Sequence, residues 1–219
     1  MFKKLVVVGS WVLFLVVCIS CKQEKTAKTT AKVKIESIIE NKKNIDYTPY
    51  FNEAQQYCEE NNLNQKLFFL IDLGIHSGLK RFFIYDLKNK KLLNSFLVSH
   101  GCGNSSWGAT YTKENAAISN QVDSHSSSIG KYIVLNRGVS QWGIKVNYLL
   151  DGKEETNSNA IKRAIVLHSW EEVYNDEVFP NGTPEGWGCP AVANQSMVVI
   201  DSILKKNKKV LFWVIKSTE

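Results

Sequence analysis

The sequence has no apolar run long enough to cross a lipid bilayer. The longest, residues 5–17, is shorter than the about 20 apolar residues that a transmembrane helix requires. Internal repeats are missing, and no basic stripe with interleaved aromatic residues accompanies the net charge of +6, so no nucleic-acid partner is expected. Cysteine is scarce, and the single C-x-x-C pattern, Cys18-Ile19-Ser20-Cys21, has no second pair at zinc-site spacing. We therefore expect no metal site.

The N-terminal segment has the pattern of a secreted protein. Two lysines precede the apolar run, as in a signal peptide. The run ends at Cys18-Ile19-Ser20-Cys21, which resembles the lipobox of bacterial lipoproteins. This resemblance implies a signal peptide over residues 1–20, cleavage before Cys21 and a diacylglycerol on the Cys21 thiol. Residues 21–45, rich in lysine, threonine, asparagine and glutamate, are predicted to form a flexible tether. An ordinary signal peptide cut nearby is the alternative, and with either signal the protein is expected to leave the cytoplasm. As a lipoprotein it is expected in the bacterial cell envelope, facing the periplasm or at the surface.

From residue 46 to residue 219, hydrophobic patterns predict one β-rich α+β domain with two supporting helices. Thr48-Pro49 is typical of a helix start, with Thr48 as cap, and Cys58 then lies at a spacing that places it in the core. A second helix is predicted at 195–206, and Asp151-Gly152 is typical of a turn. Short aliphatic and aromatic runs predict strands at 67–73, 81–87, 91–98, 131–136, 142–150, 162–168 and 210–215.

Two long loops, at 99–130 and 169–190, are expected to carry the functional site, because sites are commonly built on loops above a rigid sheet. His168 stands at the entry to the second loop, and Cys189 stands near its end, in Gly186-Trp187-Gly188-Cys189-Pro190. A thiol nucleophile needs a base to remove its proton and N–H donors to hold the oxyanion. Taken alone, the pair is equally compatible with a disulfide cysteine and a structural histidine.

A series of segments extends this pattern over residues 66–215. They are Leu70-Ile71-Asp72, Lys80-Arg81-Phe82-Phe83-Ile84-Tyr85-Asp86, Val98-Ser99-His100-Gly101, Ile118-Ser119-Asn120, Ser126-Ser127-Ser128-Ile129-Gly130-Lys131-Tyr132, Asn159-Ala160, Arg163-Ala164-Ile165-Val166-Leu167-His168 and Trp187-Gly188-Cys189-Pro190-Ala191-Val192. Together they resemble the L,D-transpeptidase catalytic domain (the YkuD-like group), specifically its murein L,D-transpeptidase branch. The resemblance implies a single domain built of mixed sheets.

The resemblance also implies a cysteine acyltransferase without a cofactor. Cys189 would attack the carbonyl between the third and fourth residues of a peptidoglycan stem tetrapeptide. His168 would take the thiol proton, and as a cation it would lower the pKa of Cys189 toward neutrality. The carbonyl of Ser169 would hold the imidazole, and the backbone amides of Gly188 and Cys189 would form the oxyanion hole. The expected partners are peptidoglycan stem peptides and, through the lipid anchor, a membrane.

Substrate contacts are expected from a second set of residues. The better-known family members have an arginine shortly after the cysteine, whereas Pro190-Ala191 follows here, so Arg163 is the candidate partner of the substrate carboxylate. Trp187 is expected to form a wall of the cleft, although most tryptophans are expected in the core. Further substrate contacts, each of which could instead be a local loop contact, are expected from Ser128, Asn120 and His100.

Ser99-His100-Gly101-Cys102 spells the four residues of the better-known family motif in the first loop. No strand-end histidine precedes it at the required distance, so Cys189 is preferred over Cys102 as the nucleophile. A disulfide between Cys102 and Cys58 is considered, because it would leave Cys189 as the free thiol.

Other functions remain open on the sequence. An L,D-carboxypeptidase would use the same residues with water as the acceptor. A non-catalytic lipoprotein that binds peptidoglycan is favoured by the missing arginine and by Gly186, where the murein branch usually has serine. A Cys-His peptidase of another fold is less consistent, because a papain-like Cys-Gly-x-Cys-Trp segment near the mature N-terminus is absent.

Overall fold

The computed structural model describes residues 45–217 of the chain. The predicted lipidation site Cys21, the signal peptide and nearly all of the tether lie outside the described residues. Eight strands are present in the described part: β1 Leu67–Asp72, β2 Phe82–Asp86, β3 Lys91–Phe96, β4 Gly130–Val139, β5 Val146–Gly152, β6 Val166–Ser169, β7 Ala191–Val192 and β8 Leu211–Ile215. They form one mixed sheet in the order β3-β2-β1-β8-β4-β5-β6-β7.

Two helices, α1 (Thr48–Glu60) and α2 (Asn194–Lys206), accompany the sheet, and a short 3-10 turn covers Glu155–Asn157. The β-rich α+β class with two helices is therefore confirmed. Within residues 45–217, neither helix is long and apolar enough to cross a membrane.

The core is built around the middle of the sheet. All residues of β1 and β8 are buried, and the two strands pair in parallel. A strand that is covered on both faces carries an unbroken apolar run instead of an alternating one, which explains the sequence of Leu67–Asp72. Phe68 contacts Phe51 of α1 on one face, with ring centroids 5.5 Å apart, and Phe69 contacts Phe82 and Phe212 on the other.

The helix α1 begins where Thr48-Pro49 predicts, but Thr48 is its first residue and not its cap. The capping position belongs to Tyr47, which makes no side-chain capping bond. Pro49 lies in the first turn, where backbone N–H groups have no acceptor within the helix, so its missing N–H costs no hydrogen bond. Phe51, Ala54 and Cys58 form the buried face of the helix, which confirms the core position of Cys58.

Cys58, Cys102 and Cys189 are all free thiols. The considered disulfide between Cys58 and Cys102 is therefore wrong for this structure. Cys58 is enclosed beneath α1, whereas Cys102 lies in the first long loop, so the two sulfurs belong to different parts of the core.

Several element boundaries differ from the sequence prediction. The strand expected at 162–168 is only Val166–Ser169, because the chain before it turns, with Ala164 at a φ of +51°. Trp142 lies in the turn before β5, and Asp151-Gly152 ends β5 in register with Ile133 and Tyr132 instead of forming a turn. The two-residue strand β7 had no recognisable pattern. Apolar periodicity alone does not distinguish a turn that packs on the core from a strand.

Candidate active site

The pairing of β6 with β7 places the chain segments that carry His168 and Cys189 next to each other. His168 lies opposite Ala191 in this parallel pair, and its N–H donates to the carbonyl of Pro190 at 3.3 Å. Cys189, the candidate nucleophile, therefore lies two residues before Ala191, which pairs with His168. Its sulfur accepts the N–H of Val166 at 3.4 Å and points its own proton toward the carbonyl of Ala164 at 3.8 Å.

The turn before Cys189 depends on a glycine at position 188. Gly188 has a φ of +101°, and a Cβ there would lie 2.4 Å from the carbonyl oxygen of Ser126 and 2.9 Å from Nη2 of Arg163. A side chain at position 188 would thus strain the backbone and clash with neighbouring atoms. Gly186, by contrast, has open space on this side of its backbone, because a Cβ added there would meet no other atom within 4 Å. The serine usual in the murein branch would fit there.

The amides of Gly188 and Cys189 have no hydrogen-bond partner among residues 45–217. Adjacent N–H groups that are free and directed into one turn are the type of donor that an oxyanion requires. The two amides lie on either side of the Gly188 Cα, so the positive φ of Gly188 helps to set their relative orientation.

The His168 ring is held in one tautomer. Its Nδ1 lies 2.9 Å from the carbonyl oxygen of Ser169, and because a carbonyl only accepts, we assign the proton to Nδ1. Nε2 is then the ring atom that carries a lone pair. Burial lowers the pKa of His168, while the Ser169 carbonyl and the charge of Glu171 partly oppose this shift. The ring is therefore neutral at neutral pH.

The pKa of Cys189 does not follow the sequence expectation. The residue keeps some exposed surface, but its sulfur is enclosed, and burial raises the pKa of the thiol despite the Val166 amide and the positive charge of Arg163. A neutral His168 supplies no positive charge to lower it. Both members of the pair are therefore uncharged at rest, and the expected lowering of the pKa is wrong for this state.

Arg163 lies beside the nucleophile turn, but its guanidinium already binds protein oxygens. Nη1 donates to the Ser119 carbonyl at 3.0 Å and to Oγ of Ser128 at 3.4 Å, and Nη2 donates to the Ser126 carbonyl. Burial lowers the pKa of Arg163. The side chain thus ties the 119–128 segment to the strand of His168, and its expected role as a carboxylate partner stays a prediction.

The other expected substrate residues divide into two groups. Ser128 is buried beside Arg163, with its hydroxyl 2.7 Å from the hydroxyl of Tyr132. Asn120 lies in the same segment, but its amide nitrogen donates to the Glu155 carbonyl at 2.7 Å and its oxygen accepts the Asn159 N–H at 3.2 Å. Its side chain supports the 155–159 turn.

The expectation that His100 lines the cleft is wrong. The residue is fully buried, with Nδ1 accepting from Arg81 at 2.7 Å and Nε2 facing the Thr112 hydroxyl at 2.8 Å. Burial, together with the nearby charge of Arg81, lowers the pKa of His100 well below its ordinary value. This arrangement keeps the His100 ring neutral, and the ring holds Arg81 and Thr112 in place.

Within residues 45–217, Cys102 makes no hydrogen bond to a histidine. Its sulfur contacts only the neighbouring Gly103 carbonyl, at 3.8 Å, and burial raises its pKa. The backbone around Cys102 instead binds the loop that carries Cys189. The Cys102 N–H donates to the Gly186 carbonyl, and the Gly186 N–H donates to the His100 carbonyl. The Ser-His-Gly-Cys segment is therefore a support beneath the second loop.

Trp187 stands at the mouth of the site, 62% exposed, and stacks on His125 with ring centroids 5.3 Å apart and an angle of 23°. His125 was missed by the sequence reasoning, because a contact between two distant loops leaves no local pattern. The expectation that most tryptophans lie in the core is also wrong. Among those in residues 45–217, Trp170 and Trp213 are buried, while Trp107, Trp142 and Trp187 are exposed.

Residues 45–217 contain no group of three His, Cys, Asp or Glu side chains that could hold a metal ion. The described site presents a thiol, an imidazole and backbone N–H groups.

Comparison with solved structures yields distant relatives. Bd1075 of Bdellovibrio bacteriovorus is 12% identical with a TM-score of 0.44, over 73% of this chain and 50% of that protein. An L,D-transpeptidase of Xylanimonas cellulosilytica is 11% identical with a TM-score of 0.40, over 73% and 68%. Pgp2 of Campylobacter jejuni, described as a helical cell shape determining protein, is 11% identical with a TM-score of 0.42, over 70% and 48%. The chain thus spans about half the length of Bd1075 and Pgp2.

No curated protein sequence matches the chain. The assignment rests on the family model of the L,D-transpeptidase catalytic domain, YkuD_2, which matches residues 41–213. Because this match covers most of the chain and includes both His168 and Cys189, the protein belongs to the YkuD_2 family of L,D-transpeptidase catalytic domains.

Proposed function

We propose that this protein is a peptidoglycan L,D-transpeptidase of the bacterial cell envelope, with Cys189 as nucleophile and His168 as base. The observation that supports the proposal is the β6–β7 pairing, which runs the segment of Cys189 alongside the strand of His168, whose Nδ1 faces the Ser169 carbonyl. An imidazole fixed in this tautomer offers Nε2 to accept a proton.

In the acylation step, the Cys189 sulfur attacks the carbonyl carbon between the third and fourth stem residues. His168 Nε2 takes the thiol proton as the S–C bond forms. The oxygen becomes an oxyanion, which the amides of Gly188 and Cys189 receive. The C–N bond then breaks, His168 returns the proton to the leaving amine, and a thioester remains on Cys189.

In the second step, an acceptor attacks the thioester carbonyl and restores the thiol. His168 removes a proton from the acceptor and returns it to the Cys189 sulfur as the C–S bond breaks. An amine of a neighbouring stem gives a cross-link, and water gives hydrolysis. The hydrolytic outcome, an L,D-carboxypeptidase, needs the same residues.

The substrate contacts follow from the position of each residue. Trp187 and His125 would form the outer wall, and Arg163 with Ser128 would position the 126–128 segment behind Gly188. Asn120 and His100 hold neighbouring loops and are not assigned a substrate contact.

A non-catalytic peptidoglycan-binding protein is the second candidate. Two observations favour it: burial raises the pKa of Cys189, and the Arg163 guanidinium is already bound to Ser119, Ser126 and Ser128. Such a protein would bind the cell wall equally well after Cys189→Ala, with no change in the muropeptides.

The lipid anchor at Cys21 completes the proposal. A diacylglycerol on this thiol would hold the enzyme at a membrane and leave the domain within reach of the wall. Mass spectrometry of the N-terminal peptide tests the anchor independently of activity, since an unmodified Cys21 would remove it from the proposal.

The test of the catalytic proposal is intact mass after incubation of the full chain with a carbapenem. The strained lactam acylates a reactive thiol without a leaving group, so the expected product is the protein plus one intact drug molecule. The controls are Cys189→Ala and Cys102→Ala.

Loss of the adduct only in Cys189→Ala, together with altered muropeptides when the active enzyme is supplied, supports the proposal. Loss only in Cys102→Ala would show that the other motif carries the reactive thiol. An unmodified protein in every sample, combined with unchanged muropeptides, would favour the binding protein.

A further inference from the structure

Three tryptophans form a cleft that the proposed mechanism does not use. The cleft is open, has a volume of about 560 Å³ and lies between the first and second long loops. Its volume is in the range typical of sites for extended small ligands. The lining side chains that matter here are Trp107, Trp142, Trp170, Gln141, Glu171 and Glu172.

The indole rings form a platform. Trp170 is buried and serves as its floor, while Trp107 and Trp142 remain 48% and 45% exposed. The centroids of Trp107 and Trp170 lie 4.8 Å apart, and those of Trp107 and Trp142 lie 6.0 Å apart at an angle of 40°. The two exposed rings are inclined to each other and both keep exposed surface, so they offer two apolar faces to an extended ligand.

The polar groups around the platform restrict the ligand class. The lining contains two carboxylates and one carboxamide but no lysine, arginine or histidine. An anionic ligand would be repelled, and an aliphatic ligand would remove water from the carboxylates of Glu171 and Glu172 without offering them a hydrogen bond. A compact cation is better held by rings that enclose it than by two exposed rings in an open cleft. An uncharged polyol with one apolar face satisfies both the indoles and the hydrogen-bond acceptors.

The cleft is joined to the strand of the proposed base. Trp170 and Glu171 directly follow Ser169, and an oxygen of Glu171 accepts the Gly143 N–H at 2.9 Å. The hydroxyl of Ser169 likewise accepts the Ile144 N–H at 3.0 Å. The loop that carries Trp142 is therefore fixed to the residues that follow His168.

We propose that this tryptophan cleft is a saccharide-binding site that takes the N-acetylated amino-sugar strand of peptidoglycan. Such a strand is uncharged, presents C–H faces to the indoles and directs hydroxyl groups toward Gln141, Glu171 and Glu172. The identity of this strand rests on the proposed function, because a stem peptide that reaches Cys189 is attached to it. The saccharide chemistry rests on the cleft alone.

The test measures binding of an N-acetylglucosamine tetramer to the full chain by calorimetry and by tryptophan fluorescence. We expect binding to the unchanged protein and to Cys189→Ala. Trp107→Ala and Trp142→Ala should each weaken it by about tenfold, since each removes a stacking face. Tyr111→Ala is the matched control, because this exposed aromatic residue is not part of the cleft lining and should leave affinity unchanged.

Glu172→Gln separates a saccharide from a cation without removing a ring. A carboxamide still accepts a hydroxyl hydrogen bond, so tetramer affinity should change little, whereas binding of 1,5-diaminopentane would be lost with the charge. This variant also keeps the proposal testable if the tryptophan variants fail to fold, which circular dichroism reveals.

No tetramer binding, or binding unaffected by both tryptophan substitutions, would overturn the saccharide site. Binding of the diamine instead of the tetramer would do so as well. A carbapenem adduct without tetramer binding would overturn the saccharide site and leave the proposed function standing. Tetramer binding without an adduct or a muropeptide change would support the saccharide site and count against the proposed function.

Discussion

At the scale of single residues, the central feature is that Cys189 and His168 are both uncharged at rest. Burial raises the pKa of the thiol and lowers the pKa of the imidazole. In the proposed mechanism, proton transfer therefore accompanies attack of the thiol on the substrate, because the resting thiol is not ionised.

This state predicts the pH dependence of acylation. A base works only when deprotonated, and the pKa of His168 lies below its ordinary value of 6.5. The rate should therefore be flat from neutral to mildly alkaline pH and fall on the acid side, with a midpoint below 6.5. Single-turnover acylation by a carbapenem, followed by stopped flow, measures this profile. A rate that instead climbs steadily toward the raised pKa of the thiol would indicate attack by a free thiolate without a base.

A second residue-scale prediction concerns the two glycines that flank Trp187. Gly188→Ala forces a Cβ toward the Ser126 carbonyl and Arg163, so acylation should slow by about 100-fold or more as the nucleophile shifts. It should also destabilise the fold by roughly 1–3 kcal/mol, because φ is +101°.

Gly186→Ala is the matched control, since nothing lies within 4 Å of its added Cβ. Its free energy of unfolding should stay within about 0.5 kcal/mol of the parent. Equal effects of the two substitutions on stability and rate would contradict the steric account of Gly188.

At the scale of secondary-structure elements, α2 is fixed to the sheet by one carboxylate. Asp201 accepts from Arg137 of β4 at 2.7 Å, from the Tyr148 hydroxyl of β5 at 2.8 Å and from Lys205 within the helix at 2.7 Å. Burial alone would raise the pKa of Asp201, but these three donors outweigh it and lower the pKa to about 2.

The lowered pKa predicts how the contribution of Asp201 depends on pH. The folded state favours the charged carboxylate, so its contribution is full above the ordinary pKa of 3.8 and is lost as the pH falls toward 2. Asp201→Asn should destabilise the protein at pH 7 by on the order of 1 kcal/mol after solvent screening, and by less at pH 2.5. Urea unfolding at both values measures the difference. A penalty that is independent of pH would assign the effect to packing instead of charge.

At the scale of the whole molecule, residues 45–217 hold together without a covalent link between cysteines. Cys58 and Cys102 are 0% and 2% exposed, and burial raises the pKa of Cys58 to about 12. Neither thiol should react with iodoacetamide in the native protein, whereas both should react after unfolding without reductant. Peptide mapping measures the iodoacetamide labelling of each cysteine. A disulfide-linked Cys58–Cys102 peptide would contradict the prediction that both thiols are free. Added reductant should likewise leave the melting temperature unchanged.

Much of this architecture could be predicted from sequence, because the informative patterns are local. The unbroken apolar run of β1 and the helical spacing of Phe51, Ala54 and Cys58 report burial within one element. The motifs around His168 and Cys189 identified the family.

The features that the sequence did not predict depend on contacts between distant segments. The stacking of Trp187 on His125, the burial of His100 against Arg81 and the Arg163 contacts to Ser126 arise only when loops meet. The charge state of Cys189 belongs to the same group, since it is set by how deeply the sulfur is enclosed.

The parallel pairing of β1 with β8 has a consequence for the order of events in folding. Phe68 pairs with Leu211, so a strand near one end of the described chain completes its pairing only with a strand near the other. Contacts of such wide sequence separation make folding slow, because a large loop must close before they form. A nascent chain that stops before residue 211 has a gap in the middle of its sheet. Completion of the fold is thus deferred until synthesis has passed this strand.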